Sequence, residues 1–527
     1  MSTNKSDAPH SHRALIKSTS IISAGTLTSR FLGFFRDIII ATFLGTGMKA
    51  DAFFVAFRIP NLFRELVGEG AANSAVVPVC TEYVHKKDQW ALWNFISVVF
   101  VLGTIVLSLL TMAGIAAAPW IVRWIAPGFS HEPEKLLLTI QLTKLMFPYL
   151  IFIGLTAYAM AVLYTFKSFV APAFGPCLLN IALISSVLVV SRTTLEPVFG
   201  LAFGVLIGGI LQFLYQLFTL KKIGFQFIFP KDLRHPGAQK IGRLLLPRLL
   251  GSGIYELNVF ADTFCASLSA FVGLGGISAI YYANRIIQFP MGIFSVALAS
   301  AVLPTFSGMV ATGDHKRLKE TLVFSIENIF FILCPMSMML VALATPVSRV
   351  LFERGEFNAY STEITALALV FYAVGLFSFG GTKILVAAFY AFQDTKTPVK
   401  VAAVCFLVNV TLNFILMIPL KIGGIALASS ISGVINFVTL FYILDKRLGD
   451  LQKGLSLYLL KILAATIAMG LFVHFSWLYI SFQSEFLKLI LIGFFAFTLY
   501  GILCYFLRVG QMRKMCEWLM ERFSIKK

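Results

Sequence analysis

Arginine inside an apolar chain is the first chemistry that this sequence offers. The apolar stretches 15–44 and 50–83 together hold Arg30, Arg36, Asp37, Asp51, Arg58, Arg64, Glu65 and Glu69. Arg248, Glu256, Asp262, Arg285 and Lys383 follow in later stretches of the same kind. An ionised group at membrane depth costs ~2.5–3.5 kcal/mol, so four arginines facing lipid would cost ~10 kcal/mol; they should instead face water or one another. Arg30 and Asp37 are seven apart and share a helical face. Arg30 and Arg36 lie about 120° apart on an ideal helix. A bend at Gly33 would turn both into one cavity, and Pro60 can kink the second span. One reading has these arginines pair with Asp37, Glu65 and Glu69 and tie helices together. The other has them hold an anion. The first two stretches plus Arg285 set five arginines against four carboxylates, and that surplus suits phosphate or diphosphate, which guanidinium forks bind bidentately. A second group is quieter. Asn409 and Asn413 are four apart on one helical face, and Asp262 stands in the apolar stretch 244–271. The group reads either as an interhelical hydrogen-bond cluster or as an oxygen-rich Na⁺ site.

The elements that must position these groups are membrane helices. Of 527 residues, 58% are hydrophobic and only 13% charged, where a soluble domain carries roughly 25% charged. The fold class expected is an all-α polytopic membrane protein. Polar breaks leave about fourteen spans of ~20 residues or more: 15–44, 50–83, 91–120, 138–165, 172–191, 197–220, 244–271, 277–310, 321–346, 363–391, 399–419, 423–444, 456–478 and 486–508. The seven cysteines and seven histidines have no metal-ligand or redox spacing. No phosphate-binding loop is present. The net charge of +18 therefore does not mark a nucleic-acid binder. With the N-terminus in the cytoplasm, 26 basic residues fall on the cytoplasmic side against 8 on the other, so both termini are expected in the cytoplasm.

The chain also repeats itself at an offset near 226. Tyr164-x-Phe166-x5-Pro172 matches Tyr390-x-Phe392-x5-Pro398, and Ala75-Val-Val-Pro78 matches Ala301-Val-Leu-Pro304. Six spans per repeat is an even number, so the repeat is parallel and predicts two lobes with a cavity between them and alternating access. The organisation expected is an N-lobe over 1–220, a basic connector over 221–243, a C-lobe over 244–446, and two extra spans with a basic tail over 447–527. The connector interleaves Phe225, Phe227, Ile228 and Phe229 with basic residues. It reads as a solvated linker or as an interfacial helix on anionic headgroups.

Several motifs are more specific. Ser29-Arg30-Phe-Leu-Gly33-Phe-Phe-Arg36-Asp37, Asp51-Ala-Phe-Phe-Val-Ala-Phe-Arg58-Ile-Pro60-Asn61-Leu-Phe-Arg64, Glu69-Gly70-Ala, Ala126-Pro-Gly-Phe129, Phe147-Pro-Tyr149, Tyr281-Tyr-Ala-Asn-Arg285, Phe289-Pro290 and Gln393-Asp-Thr-Lys-Thr-Pro398 resemble the MurJ (MviN) family of lipid II flippases, along essentially the whole chain. The resemblance implies a fold of the MOP (MATE-like) exporter superfamily. It implies a transporter and not an enzyme, one that carries lipid II, the undecaprenyl-diphosphate-linked muropeptide, from the inner to the outer leaflet of the bacterial cytoplasmic membrane for peptidoglycan synthesis. It places substrate-binding arginines at Arg30, Arg36, Arg64 and Arg285, with Ser29, Asp51, Asn61 and Glu69 as motif neighbours. It assigns the last two spans to a groove for the lipid tail, with membrane lipids and cell-wall synthesis proteins as partners. No cofactor is expected beyond Na⁺ as a coupling ion, at Asp262, Asn409, Asn413 and Ser429. Where some relatives have a second carboxylate this chain has Asn413, and Asn284 and Gln288 stand where the family often has acids. An exporter of another polyprenyl-linked glycan or of a drug, and a non-transporting scaffold for wall synthesis, are the alternatives.

Overall fold

The computed structural model describes residues 8–64, 72–86 and 88–524. Every regular element among them is helical. The chain packs as two compact units, Met1–Glu256 and Leu257–Lys527, each of which is described by itself.

The first unit contains α1 (Ala8–Leu44), α2 (Met48–Phe63), α3 (Ala72–Lys86), α4 (Gln89–Ile125), α5 (Pro133–Met146), α6 (Tyr149–Thr165), α7 (Val170–Val190) and α8 (Pro197–Lys222). The helix α9 (Pro236–Ser267) begins in this unit and ends in the second. The second unit continues with α10 (Ser269–Val272), α11 (Gly276–Pro290), α12 (Val296–Ala311), α13 (His315–Ala342), α14 (Ala344–Phe352), α15 (Ala359–Val374), α16 (Leu376–Ala391), α17 (Lys396–Leu420), α18 (Ile422–Leu448), α19 (Leu455–Tyr479), α20 (Glu485–Phe506) and α21 (Gly510–Ser524).

Among the described residues ten helices are long and apolar enough to cross a membrane, or eleven if the pair α15 and α16, bent by 45°, is one span. These correspond to eleven of the fourteen spans expected from sequence. The other three are the charge-bearing ones. The stretch 50–83 holds α2 and α3, with residues 65–71 outside the described set. The helix α1 runs unbroken through Gly33.

Tryptophans give α4 a membrane ruler. Trp90 at one end and Trp120 and Trp124 at the other are exposed. Thirty residues separate Trp90 from Trp120, which is ~45 Å of helix. That spans a hydrocarbon core with its two interfaces, where tryptophan concentrates.

The internal repeat is present in the backbone. Helices α4 and α13, and α7 and α17, begin 226 residues apart. Asp88 caps α4 by accepting from the Ala91 N–H at 3.1 Å, and Asp314, 226 residues on, caps α13 by accepting from the Arg317 N–H at 3.0 Å. Lys167 and Gln393, again 226 apart, both take the left-handed conformation, with φ of 56° and 58°. A side chain is strained there, so the shared geometry reflects a shared turn. Close helix packing sets the site. A Cβ at Gly25 on α1 would lie 2.6 Å from the Ala173 backbone on α7, so glycine is what lets these two helices touch.

The connector is not a free linker, and its residues from Pro236 on belong to α9. Residues 225–235 run without helical structure and dock on the first unit. Phe225 is buried against Trp93 and Phe100, with ring centroids 5.5 and 5.9 Å away. The Ile228 N–H donates to the Ser97 hydroxyl at 3.0 Å.

Candidate functional site

In the first unit the contact of α1 with α7 positions the arginines. Arg36 is buried. Its Nε and Nη2 donate to Asp37 Oδ1 at 3.0 and 2.7 Å, and its Nη1 donates to Asn180 Oδ1 on α7 at 3.0 Å. Asn180 in turn donates through Nδ2 to the Ser29 carbonyl at 3.1 Å. Arg36 thus joins two helices through an acid and an amide, which satisfies its fork in a place where an unpaired charge would be costly. Arg30, six residues earlier, is exposed, and no hydrogen bond or ion pair links its side chain to a described residue. Ser29 is half-buried. On α2, Asn61 Oδ1 accepts from the Arg64 Nε–H at 2.9 Å, and both residues are half-buried. Asp51 lies elsewhere. It forms a buried ion pair with Lys135 on α5 at 2.9 Å, both side chains 2% exposed. Lys135 also approaches Glu132 at 3.6 Å and the Phe129 ring at 4.3 Å. Lys135 is thus interior and paired. Glu65 and Glu69 lie outside the described residues, as does the side chain of Arg248.

In the second unit Arg285 is half-buried on α11. Its Nε and Nη2 donate to the Tyr281 hydroxyl at 3.3 and 3.0 Å, its Nη1 donates to Gln288 Oε1 at 3.2 Å, and the guanidinium lies 5.1 Å from the Tyr281 ring. Both of these partners are neutral, and they orient the guanidinium.

The structure gathers the second expected cluster completely. Asp262 Oδ1 accepts from Asn409 Nδ2 at 3.0 Å and from Asn413 Nδ2 at 2.8 Å, and Asp262 Oδ2 accepts from the Ser429 hydroxyl at 3.0 Å. Asn258, one turn before Asp262, accepts from Asn409 Nδ2 at 3.3 Å. Asn409 and Asn413 are 1% and 0% exposed, and the Oδ1 atom of each is buried with no hydrogen-bond partner. No group of three or more His, Cys, Asp or Glu able to hold a metal occurs among the described residues.

The repeat relates the two sites. Arg36 on α1 and Asp262 on α9 are 226 residues apart. Each is held by asparagine from the next-but-several helix of its own unit, α7 in one case and α17 in the other. The first unit has a guanidinium at this position. The second has a carboxylate ringed by amides.

Sequence reasoning missed Asn180, Lys135 and Asn258. Asn258 was findable, since it sits four residues before Asp262 on the same face. Asn180 is a lone amide in an apolar span, and its partner on α1 is 144 residues away. Nothing local signals that pairing.

Comparison with known proteins now bears on these sites. A family profile described as "Lipid II flippase MurJ" matches residues 40–497. The chain is 34% identical over 474 residues to the lipid II flippase MurJ of Burkholderia cenocepacia, covering 89% of this chain and 91% of that protein. It is 36% identical over 441 residues to the probable lipid II flippase MurJ of Vibrio cholerae, covering 81% and 82%. Among solved structures, a lipid II flippase MurJ in an inward closed conformation superposes with a TM-score of 0.77 at 26% identity, covering 92% of this chain and 98% of that one. An inward-facing multidrug MATE transporter of the MOP superfamily shares the fold with a TM-score of 0.66 at 15% identity, covering 81% and 96%. A match of this extent, across both units, makes the chain a member of the MurJ family.

Proposed function

We propose that this protein is a lipid II flippase, a multi-pass transporter that carries the undecaprenyl-diphosphate-linked muropeptide from the inner to the outer leaflet of the bacterial cytoplasmic membrane by alternating access. No bond is made or broken, so the protein supplies binding and a polar path, not catalysis. The observation that carries the reading is the contrast between two arginines on one helix. Arg36 is buried and spans from Asp37 to Asn180, while Arg30 is exposed with no described partner. In our reading Arg36 fixes α1 on α7 and so aims Arg30, whose free fork takes the diphosphate. Arg64, set by Asn61, is a further anion ligand of the first unit, with Ser29 and Glu69 as its neighbours in the motif. Asp51, paired with Lys135, acts on α2 rather than on the substrate. Arg285, held by Tyr281 and Gln288, is the anion ligand of the second unit. Complementation of a flippase-depleted bacterium tests the assignment. Arg30→Ala and Arg285→Ala each abolish rescue while the protein still accumulates in the membrane; full rescue by both would remove the diphosphate role.

We further propose that Asp262, Asn409, Asn413 and Ser429 bind Na⁺. Support comes from the two buried, unpartnered amide oxygens. A half-turn of each carboxamide exchanges oxygen for nitrogen and directs oxygen at the space beside Asp262, a donor set suited to a hard cation. Calorimetric titration with NaCl gives saturable heat in the native protein and none in Asp262→Asn. Equal heats in the two proteins exclude the site.

A further inference from the structure

We propose that the connector between the two repeats is a lipid-binding strap whose aromatic tips enter the membrane interface and whose cations take anionic phospholipid headgroups. The strap leaves α8 at Lys222 and runs without helical structure to Pro236. Its side chains sort by direction. Phe225 is 7% exposed and locked among Trp93 and Phe100, whereas Phe227 is 55% and Phe229 81% exposed. Exposed Lys221, Lys222, Lys231 and Arg234 surround them, with Asp232 as the single acid of the stretch. Asp232 spends one carboxylate oxygen on the Arg234 backbone N–H at 2.8 Å. None of the four cations has a salt bridge among the described residues. Lys222 lies over the Phe218 ring at 4.5 Å, and two bare phenylalanines amid cations without salt bridges make poor contact with water alone.

The depth of the strap identifies what they meet. Trp90 sits exposed at the polar end of α4, where tryptophan marks the interface. The Ile228 N–H is bonded to Ser97, which is seven residues further into the spanning helix, ~10 Å. Phe227 and Phe229 flank Ile228, so they lie inward of the interfacial tryptophan, at the boundary of headgroups and acyl chains. Aromatic rings with adjacent cations are the chemistry that binds this layer when it carries anionic lipid. The side is the one that the charge bias assigns to the cytoplasm.

The test uses the full-length protein in phosphatidylcholine vesicles. Gln226→Cys, which is exposed and leaves both phenylalanines in place, is labelled with a nitrobenzoxadiazole fluorophore in a Cys516→Ser background; the other cysteines are buried. Spin-labelled phosphatidylglycerol or spin-labelled phosphatidylcholine is then added as a minority quencher. The expected result is quenching by the anionic lipid about fivefold stronger than by the zwitterionic one, the preference that one basic residue near an anionic surface supplies. In Lys221→Gln/Lys222→Gln/Lys231→Gln/Arg234→Gln the two quenchers become equal, with no change in the thermal midpoint. Equal quenching in the unsubstituted strap overturns the headgroup assignment. So does a preference that survives neutralisation. Absence of quenching by both lipids places the strap in water or on a soluble acidic partner, and overturns the proposal as a whole.

Discussion

Arg30 and Arg36 stand six residues apart on α1 and do different work. Arg36 is a buried cation with an acid beside it and an amide across the helix interface. Removing one member of a buried pair leaves its partner charged and unpaired, at a cost of ~3–5 kcal/mol. Arg36→Ala should therefore lower the thermal unfolding midpoint of the purified protein, because Asp37 is left buried. Arg30→Ala removes an exposed side chain and should shift stability by no more than ~0.5 kcal/mol, yet abolish transport. Equal midpoints for the two variants, read by thermal denaturation in detergent, would show that the distinction is wrong. The sequence made both arginines visible as expensive residues in an apolar run. It could not separate them, because the difference lies in Asn180, which reaches Arg36 only through packing of α1 on α7.

At the scale of elements, the turns between spans are where the repeat is most exact. The turn between α16 and α17 ends on Asp394, whose carboxylate accepts from the Thr397 backbone N–H at 3.0 Å and from the Thr397 hydroxyl at 2.8 Å. The Thr397 N–H, with Arg447 nearby at 3.6 Å, holds the Asp394 carboxyl below its ordinary value. A depressed carboxylate stabilises the fold fully above its unfolded value of ~3.9 and loses that contribution as pH falls through the lower folded value. Asp394→Ala should thus cost ~1 kcal/mol as a lost helix cap at neutral pH, and the gap between variant and parent should close on acidification below pH ~4. A gap that persists unchanged in acid would assign the cost to packing. The eleven apolar spans were legible in advance. The pairing of Asp51 on α2 with Lys135 on α5 was not, because the partners are 84 residues apart. The docking of the connector was also hidden. Its phenylalanines alternate between core and surface, and only the tertiary position of Trp93 and Ser97 decides which is which.

For the whole molecule, the sequence repeat at offset 226 predicted two related halves, and helix starts, caps and left-handed turns recur at that spacing. The same frame sets Arg36 in one half against Asp262 in the other, so a duplicated scaffold carries a cationic element in its first half and an anionic one in its second. The central claim is that the chain itself moves lipid II between leaflets. The most direct measurement is leaflet transfer of fluorescent lipid II in liposomes containing only the purified protein, read by an impermeant reagent that sees the outer leaflet alone. The account predicts transfer that depends on the protein and is lost in Arg30→Ala and Arg285→Ala. Lipid II that stays in its original leaflet with the intact, folded protein would contradict it.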